Sequence, residues 1–169
     1  MTSWRPNGDL DDLYRREYRS VVALAYGLSG SRGAAEELTQ DAFLEAHRAW
    51  DRVGGYDDPG AWVRRVVVNR SVSRVRRSVA EVRAITRIAG RRELPAGLPE
   101  NDAEFWRAVR RLPHRQAQVI ALHYLEDRSI ADIADVLDIS PDTVKVHLHR
   151  GRKTLAEALN ARVVEEDEQ

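Results

Sequence analysis

Two helix starts stand close together towards the C-terminal end of the chain, and they constrain its fold more than any other feature. Ser129, with Asp132 three residues on, forms a capping box, and Ser140 puts a hydroxyl cap ahead of a first-turn proline, Pro141. Ile130, Ile133, Ala134, Leu137 and Ile139, with Val144 and Leu148 beyond, fall on facing apolar stripes. Small Ala134 lies where the helices must approach most closely. A short capped helix, a tight turn and a second capped helix make a helix-turn-helix. The outer face of its second helix holds Lys145, His149, Arg150, Arg152 and Lys153, the cations that phosphate contact and guanine reading both require. The alternative is a merely solvated face on a structural helix pair.

A chain of 169 residues accommodates one domain or two small ones around a helical core. Its 27 basic and 27 acidic residues cancel, which excludes a histone-like polycation, yet the charge is strongly segregated. From Arg64 to Arg92 ten arginines meet one acid, Glu81, whereas Met1 to Val63 holds seven arginines against eleven acids, and Glu165 to Glu168 is acidic again. So dense a cationic run repels itself unless a polyanion is near. The absence of cysteine removes disulfides, thiolate zinc sites and cysteine redox sensing. There is no phosphate-cradling glycine loop, no metal-ligand spacing and no nucleophile with a nearby base, so no enzyme activity, metal or cofactor is expected. His114 and His123, on an apolar-packed helix, are read as structural. With no signal peptide and no uncharged stretch near the roughly 20 residues of a membrane helix, the expectation is a cytoplasmic chain without membrane insertion or a small-molecule substrate.

Helical periodicity runs through the N-terminal half. Leu10, Leu13, Tyr14, Tyr18, Val21, Ala25 and Leu28 mark one amphipathic segment, which stops at Ser29 to Gly33. Leu38, Ala42, Phe43, Ala46 and Trp50 mark a second, from Ala34 to Trp50. Asp58 then caps a third with Pro59 in its first turn, and Trp62, Val63, Val66, Val67, Val72 and Val75 carry it forward. The valines favour a strand by propensity, but the interleaved arginines are too irregular for strict alternation, so helix is predicted. Two prolines and a glycine between Gly90 and Asn101 break any regular element. Asp102 is read as capping a helix through Leu112, and Pro113 opens another to about Leu125. The predicted fold is all-α, with two small helical domains over residues 9–88 and 102–160, a flexible linker over 89–101 and an acidic tail over 161–169.

Three segments in order carry a family resemblance over nearly the whole chain. AEELTQDAFLEA, residues 35–46, resembles the polymerase-binding helix of sigma region two. PGAWVRRVVVN, residues 59–69, continuing to Arg76 and Arg77, resembles the minus-ten-reading helix of the same region. Leu112 and Pro113 with Arg115, Val119 and Leu122, ahead of the helix-turn-helix, resemble region four. The chain thus resembles an extracytoplasmic-function bacterial sigma factor, the minimal promoter-recognition subunit of RNA polymerase. The resemblance implies as partners the RNA polymerase core through its clamp and flap, promoter DNA, and an anti-sigma protein.

It also implies site residues. Arg64, Arg65, Val68, Asn69 and Ser73 match positions that touch minus-ten DNA, and the loop from Arg52 to Asp58 matches one that holds a flipped base. Asn69 is expected to bond a base edge, and Arg74, Arg76 and Arg77 to hold phosphates. Trapping an unpaired strand calls for cations along the backbone and apolar or aromatic groups against bases, and the arginines beside Trp62 supply both, although Trp62 reads equally well as core. Lys145, Val146, His149 and Arg150 match positions facing the minus-thirty-five major groove, where a bidentate guanine contact from Lys145 or Arg150 discriminates by roughly 1 to 3 kcal/mol. Thr143 and Arg152 are assigned to phosphates. Glu37, Gln40, Asp41 and Leu44 are assigned to polymerase docking, with Leu38 in the core. Two departures stand out: Ser73 where many relatives carry an acid, and Asp138 at a turn position often held by glycine. The recognition helix also resembles that of LuxR-like regulators, but Met1 to Arg92 lacks the alternating strands and helices of their receiver domain.

Overall fold

The computed structural model describes residues 9–71 and 102–167, with side chains through Asn160. The helices are α1 (Leu10–Ser29), α2 (Arg32–Arg48), α3 (Trp50–Val53), α4 (residues 59–71), α5 (Ala103–Val109), α6 (His114–Tyr124), α7 (Ile130–Leu137) and α8 (Pro141–Asp167), and no strand occurs among the described residues. Val72, Val75 and the expected linker lie outside the described residues.

Local chemistry explains the boundaries. α1 ends at Gly30, whose φ of 70° is left-handed and whose N–H returns to the Tyr26 carbonyl at 2.8 Å. The Ser31 hydroxyl accepts from Ala34 N–H to start α2. Asp58 Oδ1 accepts from Ala61 N–H at 2.9 Å, which sets the valine-rich segment in a helix despite its extended propensity. α5 is shorter than expected: it stops at Val109, and Asp102 precedes it without a side-chain cap bond. Pro113 opens α6 as predicted. α8 runs on beyond Asn160 to Asp167, so the helix takes in most of the acidic C-terminal residues.

Leu13, Val21, Val22, Ala25, Leu38, Phe43, Val63 and Val67 pack α1, α2 and α4 around one core. Tyr14, expected on the buried side, is 41% exposed and rests edge-on against Phe43 instead. The second core is not confined to the C-terminal half. Leu24 and Leu28 of α1 and Val68 of α4 are buried with Trp106, Val109, Ile120, Leu122 and Ile133. The two helical halves therefore share apolar surface, and α1 serves both.

Candidate nucleic-acid interface

The helix-turn-helix is set by its caps. Ser129 Oγ accepts from Asp132 N–H at 3.1 Å while Asp132 Oδ2 accepts from Ser129 N–H at 3.3 Å, the reciprocal bonds of a capping box. The Ser129 hydroxyl and backbone hydrogen bonds hold the Asp132 carboxyl below its usual range. α7 ends at Asp138, which takes the left-handed conformation at φ 55° and ψ 49°. Ser140 Oγ accepts from Thr143 N–H at 3.1 Å to start α8. Ile133, Ala134, Leu137, Val144 and Leu148 are buried between the helices, so the opposite side of α8 faces solvent.

On that side Lys145, Val146, His149 and Arg150 are all exposed, and Val146 leaves an apolar surface 45% accessible between cations. Lys145 Nζ lies 3.5 Å from Asp142, an exposed pair that is weak and easily exchanged for a phosphate. Thr143 is half-buried, its hydroxyl 2.8 Å from that of Ser140. Arg152 leans on α6: Nε donates to the Tyr124 hydroxyl at 2.9 Å and Nη2 lies 3.1 Å from His123 Nε2. On the inner side of the same helix is His147, absent from the sequence-based assignments. Burial, then the charges of Arg115 and Arg150, push its imidazole below its ordinary value.

The minus-ten candidates on α4 are arranged differently. Asn69 is exposed and Trp62 is half-buried against the α1–α2 core. Arg64 and Val68, expected to touch DNA, are 2% and 0% exposed. Arg64 Nη2 donates to Glu17 at 2.8 Å and to Ser20 Oγ at 3.0 Å, and Nε donates to Glu126 from the other half of the chain. Desolvation pulls the Arg64 guanidinium down, but the charge of Glu126 and the bond to Glu17 outweigh it and keep it firmly protonated. Burial likewise raises the Glu17 carboxyl, while Arg64 and Arg16 overcome this and hold it low. Gly60 makes room for the pair, since a Cβ there would come within 2.9 Å of Arg64 Nη1. Arg65 donates from Nε to the Val136 carbonyl at 2.9 Å and from Nη2 to the Asp135 carbonyl. The Val68 carbonyl accepts from Gln118 Nε2 at 2.8 Å. In this conformation Arg64 and Val68 present no surface to a strand, because helices 5 to 8 cover them. Ser73, Arg74, Arg76 and Arg77 lie outside the described residues.

The partners across this seam, Glu17, Gln118, Glu126 and Arg128, were not marked by sequence reasoning, and no local signal marks them: Arg64 and Glu126 are 62 residues apart. A cleft of about 270 Å³ opens on the seam, lined by Tyr56, Asp57, Trp62, Arg65, Arg128 and Asp135 among others, so the loop matched to base holding borders it. On α2, Glu37, Gln40 and Leu44 are exposed on one face and Asp41 is half-buried beside them. Leu44 is 51% exposed, whereas Leu38 is buried. Arg70 pairs with Asp41 at 3.4 Å and with Glu45. Among the described residues no group of histidines and acids is placed to hold a metal, and no helix is long and apolar enough to cross a membrane.

An all-helical chain whose capped recognition helix shows cations and an apolar spot to solvent is a DNA-binding transcription protein by architecture. Comparison with known proteins narrows the class. The Sigma-70 region 2 model matches residues 13–81 and the Sigma-70, region 4 model matches residues 102–155. ECF RNA polymerase sigma factor SigM of Mycobacterium tuberculosis is 32% identical over 153 residues, covering 88% of this chain and 76% of that protein. ECF RNA polymerase sigma factor SigW of Bacillus subtilis is 26% identical over 166 residues, covering 89% and 87%. The fold matches the sigma factor RpoE of Bartonella quintana, crystallised with the anti-sigma factor NepR, at a TM-score of 0.71 and 23% identity, covering 90% of this chain and 97% of that one. The chain belongs to the ECF family of RNA polymerase sigma factors. Its function is to direct RNA polymerase to promoters for transcription initiation, and the LuxR-like alternative is not favoured.

Proposed function

We propose that the two helical units divide promoter recognition between them: residues 102–160 read the minus-thirty-five duplex and residues 9–88 dock on core polymerase and capture the melted minus-ten strand, with residues 89–101 as the joint and 161–169 as an acidic end. The observation that carries this reading is the exposed stripe of Lys145, Val146, His149 and Arg150 on a helix whose start and inner face are both fixed. Arg150 and Lys145 read guanine edges, Val146 meets a thymine methyl, and Thr143 and Arg152 grip phosphates. Glu37, Gln40, Asp41 and Leu44 form the docking face, an exposed leucine ringed by polar groups. Trp62, Arg64, Arg65, Val68, Asn69 and Ser73 meet the minus-ten strand, with Arg74, Arg76 and Arg77 on its phosphates.

The protein acts in the cytoplasm as a specificity subunit and not as a catalyst. An anti-sigma protein holds it in reserve, a reading supported by the likeness to a sigma factor crystallised with one. The test is run-off transcription with purified core polymerase on a promoter library. Arg150→Ala is expected to impair initiation selectively by upstream sequence, losing roughly 1 to 3 kcal/mol at the base it reads. Equal loss at every upstream sequence contradicts a base-reading role for Arg150.

A further inference from the structure

Region four lies across the face of region two that reads the minus-ten strand, and it meets that face with groups that resemble DNA backbone in charge. Glu126 offers Arg64 a carboxylate. The Asp135 and Val136 carbonyls, at the negative C-terminal end of α7, accept both guanidinium bonds of Arg65. Gln118 takes the Val68 carbonyl, and Arg128 reaches back to Asp58 at 3.4 Å. Apolar contact underlies these bonds, with Leu24, Leu28 and Val68 buried against Trp106, Val109 and Ile120. We propose that the chain has a self-closed state in which region four substitutes for promoter DNA on α4, with Arg64 and Arg65 as the shared ligands, so that the minus-ten strand and region four compete for one surface. The proposal rests on α4 being the minus-ten reader, as argued above.

The seam is built to open. Arg64 Nη1 and Glu126 Oε1 are buried without a hydrogen-bond partner among the described residues, so the paired charges are incompletely satisfied. A phosphate strand offers the same guanidinium groups more acceptors. The outer face of α2 stays uncovered in the closed state, with Leu44 half exposed, so polymerase docking and strand capture are separable: the closed chain docks but does not hold a strand.

The absence of cysteine makes the test direct. Cysteines at exposed Arg48 and Glu157 carry a donor and acceptor dye pair, and energy transfer in the full-length chain is measured with a single-stranded oligonucleotide of mixed sequence and, separately, with core polymerase. Transfer is expected to change as the strand saturates. Binding of the strand with transfer unchanged overturns the proposal. Glu126→Gln and, as a milder second variant, Arg128→Ala should bind the strand roughly threefold to tenfold more tightly, since apparent affinity scales with the open fraction. Both should dock on core polymerase as the parent does. If either variant, helical by circular dichroism, binds the strand no more tightly than the parent, the competition does not exist. Failure of the parent chain to initiate at any promoter is a different result, which sinks the minus-ten assignment itself.

Discussion

Gly151 sits inside the recognition helix, where glycine costs about 1 kcal/mol relative to alanine, so its presence demands a compensation. The compensation is contact with α6. A Cβ on residue 151 would lie 3.0 Å from Ile120 Cγ1 and 3.3 Å from its Cδ1. Ile120 is fully buried and stiff at its β-branch, and therefore cannot yield. Gly151→Ala sets a propensity gain of about 1 kcal/mol against an overpacking cost of about 1 to 3 kcal/mol, for a net loss of about 0 to 2 kcal/mol. Ile120→Ala by itself should cost about 2 to 5 kcal/mol. In that background the obstacle is gone, and Gly151→Ala should turn stabilising by about 1 kcal/mol, giving a coupling of about 1 to 3 kcal/mol between the two sites. Urea unfolding followed by circular dichroism, with all four proteins at one temperature, measures the cycle. Stabilisation by Gly151→Ala of equal size in both backgrounds refutes the close-approach argument. A functional readout accompanies it: pushing α8 away from α6 shifts Lys145, Val146, His149 and Arg150 together, so upstream promoter binding should weaken even where the protein stays folded.

Ser129→Ala removes the α7 cap and should cost about 1 kcal/mol in thermal or urea unfolding. The Asp132 carboxyl is held low in the fold, so its contribution is complete above its ordinary pKa of 3.8 and is lost as pH falls through the folded value; in Asp132→Asn that acid dependence should shrink. His147 is also held below its ordinary value of 6.5, so the folded chain binds its proton less readily than the unfolded one, and acidification below that value should destabilise the parent more than His147→Gln. Neutralising Arg76 and Arg77 together should weaken binding to every promoter and flatten its salt dependence, in contrast to the sequence-selective effect of Arg150→Ala.

Much of the local architecture was legible in the chain because it depends on short-range chemistry. The capping box at Ser129 and Asp132, the cap at Ser140, the Asp58–Pro59 start and the left-handed Asp138 all join groups within a few residues of one another, and all occur in the structure. The exposed stripe on α8 follows from the same periodicity that buries Val144 and Leu148. Tyr14 shows where periodicity stops short: it lies on the apolar side of α1, yet only its edge contact with Phe43 settles how far it is covered.

What sequence alone determined, then, is the set of helices, where they begin, and which residue types each turns outward, since capping bonds and 3.6-residue periodicity act within a single element. Tertiary structure decided which outward-facing groups remain available. Arg64 and Val68 read as part of a DNA-binding helix until α6 and the loop before α7 close over them, and Glu126 becomes the partner of Arg64 only because folding brings together residues that no local rule relates. A buried charge must find its counterion wherever the fold supplies one. That choice is made by the packing of Leu24 and Leu28 against Trp106 and Val109, which draws the two halves together.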